Sequence, residues 1–343
     1  MLLLGIPLDL ACVWGGGERT FVVSKHARCL GNLSAKLTAK LTAKIKLLIL
    51  SFALRAPDNH YHHHRPAAFA NRFHMTPTAT PPAATHAAVS SSTHLVLIPC
   101  YNPGAGVVNM VRKVREQWSP VWVVVDGSTD ESTRLLQDLA AQDTGVKVLV
   151  QASNGGKGSA VLRGITEALT AGYTHALTMD ADGQHPTELV AHFMARSIAE
   201  PRALILGKPV FDASAPALRV NGRKISNSWA NLETLGAGIG DSLYGFRVYP
   251  MRELQAVMLR SRWMRRFDFD PEVAVRLCWE GLKPINIDAP VKYFNADQGG
   301  VSHFNYLRDN ILLTWMHTRL FLEFLVRLPR LLTRPGQAAS RQP

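Results

Sequence analysis

Cysteine is scarce in this chain and long apolar runs are missing, and each shortage excludes a class of protein. The four cysteines among 343 residues, Cys12, Cys29, Cys100 and Cys278, show no CxxC spacing, so the sequence encodes neither a zinc site nor a disulfide framework. A reducing cytoplasm is the simplest setting for them. The apolar stretch at 47–54 falls far short of the roughly 20 residues a membrane-spanning helix needs. The opening MLLLGIPLDLACVW has no basic leader and is broken by Pro7 and Asp9, which makes it a poor secretory signal. Acidic residues are also few: 26 Asp and Glu against 38 Lys and Arg leave a formal charge of +12. That excess is uneven, with ten basic against three acidic side chains in 1–93 but 26 against 23 in 94–330. A nearly neutral body with a basic arm fits an anionic membrane surface better than a nucleic acid, and no nucleic-acid partner is expected.

Residues 1–92 are expected to form a low-complexity, disordered arm, with AKLTAKLTAKIK at 35–46, HYHHH at 60–64 and a Thr/Pro/Ala/Ser-rich stretch at 76–92. Leu37, Leu41 and Ile45 recur every four residues among Lys36, Lys40 and Lys44, which suits either a basic helix on a membrane or a solvated arm. His62, His63 and His64 lack a fold that would fix them as metal ligands. Met75, just before the Pro/Ala linker, is a second candidate start, which an intact mass of the native protein decides.

From His94 short apolar runs alternate with helical stretches, the pattern of a parallel sheet built from βαβ units. HLVLIPCYN (94–102), VWVVVDGS (121–128), VKVLVQ (146–151), HALTMDAD (175–182) and ALILGKPV (203–210) read as strands; 104–118, 130–142, 158–171 and 186–199 read as helices. The second half predicts a helix near 218–235, a strand at 243–249, a helix opening at Pro271 and a strand near 284–294. The expected fold is α/β, one mixed, mainly parallel sheet flanked by helices. In such a sheet ligands gather beyond the carboxyl ends of the strands, where the polar punctuation of this sequence falls.

MDADGQHP (179–186) is the most informative stretch. Alternation at a strand end puts Asp180 and Asp182 on one side, where a hard divalent ion such as Mg²⁺ or Mn²⁺ would relieve their repulsion and share oxygens with a diphosphate. The competing reading is a plain Asp-Gly turn before a helix. Lys157, in the glycine-rich NGGKG, suits phosphate oxygens or an ordinary exposed turn equally. In RRFDFDPEVAVRL (265–277), alternation sets Asp268 and Asp270 opposite Phe267 and Phe269, with Glu272 just beyond, as candidates for a general base. Asp270-Pro271 also reads as a helix cap. Arg247 either holds an acceptor phosphate or pairs with a carboxylate.

Taken in order, IPCYN (98–102), VVVDGSTD (123–130), NGGKGSAVLRG (154–164), MDADGQHP (179–186) and YGFRVYP (244–250) resemble the family 2 glycosyltransferases, and within them the polyprenyl-phosphate (dolichol-phosphate mannosyltransferase-like) sugar transferases. The resemblance implies the glycosyltransferase-A fold, a Rossmann-like sugar-nucleotide-binding layout, and an inverting transfer. It implies that Pro99, Tyr101, Asn102, Asp126, Lys157 and Asp180 bind the nucleotide sugar, that Asp180, Asp182 and Gln184 surround the metal, and that an acid near Asp270 is the base. UDP-sugars are the favoured donors and GDP-sugars the next. Two departures stand out: Val125 precedes Asp126 where the family usually has paired acids at this strand end, and Pro103 stands where an acid often follows YN. DQGGVSHF (297–304) resembles the branch's mobile G-x-S-K loop, with His303 in place of Lys, as a further donor contact or a helix-start residue.

NILLTWMHTRLFLEFLVRLPRLL (310–332) is apolar but interrupted by charge, so it reads as amphipathic, lying on a membrane or on the enzyme's own body. Arg308, Arg319, Arg327 and Arg330 suit anionic headgroups. The expected layout is an arm at 1–92, a catalytic domain at 93–300, an amphipathic helical segment at 301–332 and a tail at 333–343. The expected function is metal-dependent sugar transfer to a lipid-linked acceptor at the cytoplasmic face of the inner or plasma membrane. A polyprenyl-phosphate acceptor and a sugar-nucleotide binder without catalysis are the alternatives.

Overall fold

The computed structural model describes residues 88–211, 217–291 and 306–333. The N-terminal arm, the histidine cluster, the loop with His303 and the tail lie outside the described residues. A seven-stranded sheet carries the fold, in the order β5-β4-β2-β6-β8-β7-β9. Its strands are β2 (His94–Cys100), β4 (Val121–Asp126), β5 (Val146–Gln151), β6 (His175–Thr178), β7 (Ala203–Val210), β8 (Arg247–Pro250) and β9 (Lys283–Pro290). Two short strands, β1 (Val89–Ser90) and β3 (Trp118–Ser119), pair separately. All neighbours run parallel except β8, which is antiparallel to both β6 and β7. The mixed, mainly parallel sheet expected from the sequence is therefore what forms.

The central strands read as continuous apolar runs because both of their faces are covered. Alternation splits them cleanly: Leu95, Leu97, Trp122 and Val124 enter one core, and Val96, Ile98, Val121 and Val123 the other. The second core is covered by α1 (Gly106–Gln117), α2 (Ser132–Gln142) and α4 (Val190–Ala199). The first is covered by α3 (Lys157–Thr170), α5 (Ala217–Glu233), α6 (Met251–Leu259), α7 (Phe269–Trp279) and α8 (Tyr306–Leu332).

Strand polarity decides what reaches the functional rim. The parallel strands β2, β4, β5 and β6 deliver their carboxyl ends there. Because β8 runs the other way, with Arg247 opposite Thr178, it is the segment entering β8, residues 241–246, that joins them. Two elements differ from expectation. The strand β6 stops at Thr178, so the Asp180–Gln184 stretch is a turn and the two aspartates are placed by turn geometry, not by strand alternation. The helix α7 starts at Phe269, so Phe269 is buried in the core while Phe267 is exposed, and the strand-like alternation read at 267–270 does not form.

Candidate active site

The first two rim loops are stapled together by Asn102. Its side-chain oxygen accepts the Thr129 amide at 2.7 Å, and its own backbone amide donates to Ser128 Oγ at 2.9 Å. Asp130 Oδ2 accepts the Gly104 amide at 2.9 Å. Pro99 is buried in β2 opposite Val124, and Tyr101 stands exposed at the loop edge. Cys100 beside them is no nucleophile: burial, then the Asp130 and Asp126 charges, push its thiol up to about 12.

Asp126, at the end of β4, is buried and both of its oxygens are committed. Oδ1 accepts Gln151 Nε2 at 2.7 Å and the Gly155 amide at 2.8 Å, and Oδ2 accepts the Gly156 amide at 2.7 Å. Its carboxylate therefore shapes the glycine-rich loop from below. That loop needs glycine for a reason visible at two positions. Gly156 has φ +93°, and a Cβ there would lie 2.4 Å from the Arg265 carbonyl; at Gly158 a Cβ would lie 2.0 Å from the Met264 carbonyl. Only bare backbone lets the loop press against 264–266, and that contact brings Lys157 to the start of α7.

Lys157 Nζ sits 2.6 Å from Asp180 Oδ1 and 2.7 Å from Asp270 Oδ2, one ammonium bridging two carboxylates from different ends of the sequence. Burial alone would lower the Lys157 pKa, but Asp180 and then Asp270 hold it above its ordinary range. Burial also opposes ionisation of Asp180, yet Lys157 and then His185 keep its carboxyl low, at about 2. Asp182 lies in the mouth of the turn, open on its outer side. Enclosure of its inner side, and next the neighbouring Asp180 charge, push its carboxyl upward. Asp182 Oδ1 accepts the Gln184 amide at 3.0 Å, so the three residues form one tight turn.

These groups are oxygen donors of the kind a hard divalent ion takes, and Lys157 shows that Asp180 already holds a cation's charge. Among the described residues no group of three or more His, Cys, Asp and Glu is arranged to hold a metal. Asp180 and Asp182, with Gln184 beside them in the turn, are oxygen donors of the type suited to an ion completed by phosphate oxygens and water. Two buried atoms at the site have no hydrogen-bond partner among the described residues: Asp270 Oδ1 and Tyr244 Oη.

Three expected site residues turn out to serve the fold. Arg247 is fully buried and donates to the carbonyls of Tyr244 (2.6 Å), Asp270 (2.5 Å) and Asp241 (3.1 Å), so it fixes the 241–246 segment and the start of α7. Asp268 accepts the amides of Met264 (2.9 Å) and Arg266 (3.0 Å), closing the turn before α7. Glu272 is buried one turn further in, 2.7 Å from Arg276 Nε and 2.6 Å from Arg319 Nη2. Of the acids in 268–272, only Asp270 reaches the rim. His303 lies outside the described residues.

Two residues were missed. His185 is buried, and its Nδ1 accepts the Asp180 amide at 3.0 Å. Burial lowers its pKa despite Asp180 and Asp182, and because Nδ1 accepts that amide the ring proton is on Nε2, 3.6 Å from Asp180 Oδ2. Tyr244 packs edge-on against that ring at 4.7 Å. The only sequence signal for either was membership of a quoted motif: His185 meets Asp180 five residues away, but its contact with Tyr244 spans 59 residues.

Residues 95–252 match the model of glycosyl transferase family 2. The polyprenol monophosphomannose synthase of Mycolicibacterium smegmatis is 28% identical over 211 residues, 60% of this chain and 78% of that protein. Glycosyltransferase AglJ of Haloferax volcanii is 27% identical over 218 residues, 62% of this chain and 67% of that one. Among solved structures, glucosyl-3-phosphoglycerate synthase from Mycobacterium tuberculosis, in complex with Mn²⁺, UDP-glucose and phosphoglyceric acid, has a TM-score of 0.47 at 16% identity, covering 68% of this chain and 79% of that chain. The family match runs from Leu95 in β2 to Arg252 in α6 and takes in the loops after β2, β4, β5 and β6 with the 241–246 segment; over that span the chain resembles glycosyl transferase family 2, and within it the polyprenyl-phosphate sugar transferases.

Proposed function

We propose that the chain transfers a sugar from a nucleotide-diphosphate sugar to a lipid-linked acceptor, with a divalent ion at Asp180, Asp182 and Gln184. The observation that carries this reading is the Lys157 bridge. It puts the turn suited to a metal, the phosphate-type loop and Asp270 within two hydrogen-bond lengths of one another. When bound, Mg²⁺ or Mn²⁺ would offset charge on the departing nucleotide. The loops at 101–104 and 126–130, stapled by Asn102 and shaped by Asp126, border the nucleoside. Lys157, in the glycine-rich loop beside Asp180, is the cation for the diphosphate. His185 holds Asp180 in place. Asp270, whose Oδ1 has no partner, takes the proton of an acceptor hydroxyl on the opposite side of the sugar from the nucleotide, which inverts the anomeric centre. UDP-sugars come first as donors. The names of the relatives favour a second acceptor, polyprenyl phosphate, for which no base is needed.

The test is a panel of UDP- and GDP-sugars with the full chain, read as thermal stabilisation with and without Mn²⁺ or Mg²⁺. The donor is expected to raise the melting temperature only with the metal, and Asp182→Ala is expected to lose that dependence at an unchanged basal melting temperature. Stabilisation that ignores the metal in both proteins removes the ion from the reading.

The helix α8 supports a place at a membrane surface. Met316, His317, Leu320, Phe324 and Leu331 are buried against the body, while Ile311, Trp315, Leu322 and Val326 form an exposed stripe along the other side, Val326 at 81%. Among the described residues no helix is long and apolar enough to cross a membrane. Arg319 and Arg327 are not available to headgroups as expected, because Arg319 pairs with Glu272 and Arg327 with Glu323. Docking is thus apolar first and electrostatic second. Association with vesicles is expected to survive 0.5 M salt and to weaken on the order of tenfold or more in Leu322→Glu/Val326→Glu. Salt-sensitive binding that the double variant leaves intact returns the arm, and not α8, as the membrane element.

A further inference from the structure

A buried chain of hydrogen bonds runs from α8 to the wall of the site. His317 Nε2 lies 3.0 Å from Ser226 Oγ of α5, and Ser226 Oγ lies 3.0 Å from Ser242 Oγ. On its other side, His317 Nδ1 lies 3.1 Å and 3.3 Å from the two carboxyl oxygens of Glu233. All four residues are buried.

The directions of these bonds follow from the backbone outward. Asn227 Oδ1 accepts the Ser242 amide at 2.8 Å and its Nδ2 donates to the Gly240 carbonyl at 3.3 Å, which fixes the orientation of the Asn227 amide. The Ser242 hydroxyl, 2.8 Å from the same Oδ1, has to donate to it. Ser242 Oγ is then an acceptor for Ser226, and Ser226 Oγ is in turn an acceptor for His317 Nε2–H. With its proton on Nε2, a neutral imidazole would turn a bare Nδ1 toward an ionised Glu233. Two acceptors facing each other in the interior repel, and both would lack a donor. The arrangement closes only with one further proton between them.

We propose that Glu233 and His317 share one proton in the folded protein, and that through Ser226 and Ser242 this proton positions the 240–246 wall of the site. The surroundings favour keeping it. Burial pushes the Glu233 carboxyl up, His317 pulls it down, and Glu272 of α7 pushes it up again. Trp229 of α5 closes the ring side at 6.2 Å. Arg276 and Arg319, the nearby cations, are paired with Glu272 and not with Glu233. At the far end, Asp241 Oδ1 accepts the amides of Leu243 (2.9 Å) and Tyr244 (2.7 Å), and the Gly245 backbone lies against Lys157 and Asp180, where an added Cβ would stand 2.4 Å from Lys157 Nζ. That the wall borders a sugar-nucleotide site rests on the function proposed above; the proton does not.

Above about pH 6.5 the unfolded chain has His317 neutral and Glu233 ionised, so folding takes up one proton. Stability from the pair is full below that pH and is lost as the pH rises, by up to about tenfold in the folding equilibrium constant per pH unit, until the folded pair releases its proton. Glu233→Gln supplies an amide donor to Nδ1 and removes the proton uptake. In urea unfolding of the full chain from pH 6.5 to 9, the ratio of parent to Glu233→Gln stability is expected to fall toward higher pH. Hydrogen exchange of the 240–246 amides is expected to quicken with it in the parent relative to the variant. Parallel stability profiles overturn the shared proton, and a falling ratio with parallel exchange in 240–246 overturns its positioning role. Should Glu233→Gln not fold, the ¹⁵N resonances of His317 in the parent decide, since a bare, unbonded Nδ1 at pH 8 also overturns it.

Discussion

Asp270→Asn is expected to lower kcat by about 10²-fold or more while leaving donor affinity and melting temperature nearly unchanged. The fold has little stake in the ionised side chain. Arg247 holds Asp270 by its backbone carbonyl, and an asparagine oxygen can still accept from Lys157. What asparagine cannot do is take a proton from an attacking hydroxyl, a poor nucleophile at neutral pH. Steady-state kinetics with a hydroxyl acceptor, together with the donor-induced thermal shift, check both halves. A polyprenyl phosphate is already ionised and asks only for cationic placement. If the variant turns over polyprenyl phosphate at the parent rate, Asp270 is not a general base and the phosphate acceptor replaces the hydroxyl.

Glu272→Ala, two residues further on, is expected to cost about 3–5 kcal/mol of stability, because it leaves Arg319 buried without its carboxylate and takes one of two from Arg276. Arg319 places both terminal nitrogens on Glu272, at 2.8 Å and 2.6 Å, and lies 4.3 Å over the Trp263 ring. Arg276 joins Glu272 to Glu323, 2.8 Å away, and Glu323 continues to Arg327. Glu272 is therefore the anchor by which α7 holds α8. Urea unfolding and the melting temperature measure the loss, and residual activity per folded molecule should stay near that of the parent. A variant that keeps parent stability and loses turnover restores Glu272 to the catalytic set.

These neighbouring acids show where reading along the chain stops. Asp268, Asp270 and Glu272 all read along the chain as candidates for a general base. A strand would have aligned the first two; a helix start turns each by about 100° and separates their fates. Asp268 closes a turn, Asp270 meets Lys157, and Glu272 enters the core. The amphipathic segment behaved likewise. Its period was legible, but which face meets the body depended on Glu272 and Glu233, 40 residues or more away in sequence, and those contacts took Arg319 from the outer surface.

The sequence by itself determined the sheet, because strands covered on both faces need apolar residues at every position, and that requirement is local. It also determined two loops at the rim: the Asp180–Gln184 turn acts through residues close in the chain, and the glycine-rich loop through backbone that only glycine permits. The tertiary structure decided the pairings across it. The antiparallel β8 brought the 241–246 segment to the rim, the contact of Gly156 and Gly158 with 264–266 set Lys157 between Asp180 and Asp270, and the docking of α8 buried His317 against Glu233. Such contacts are fixed by where whole elements pack, and a side chain's charge or type does not name the partner that packing will give it.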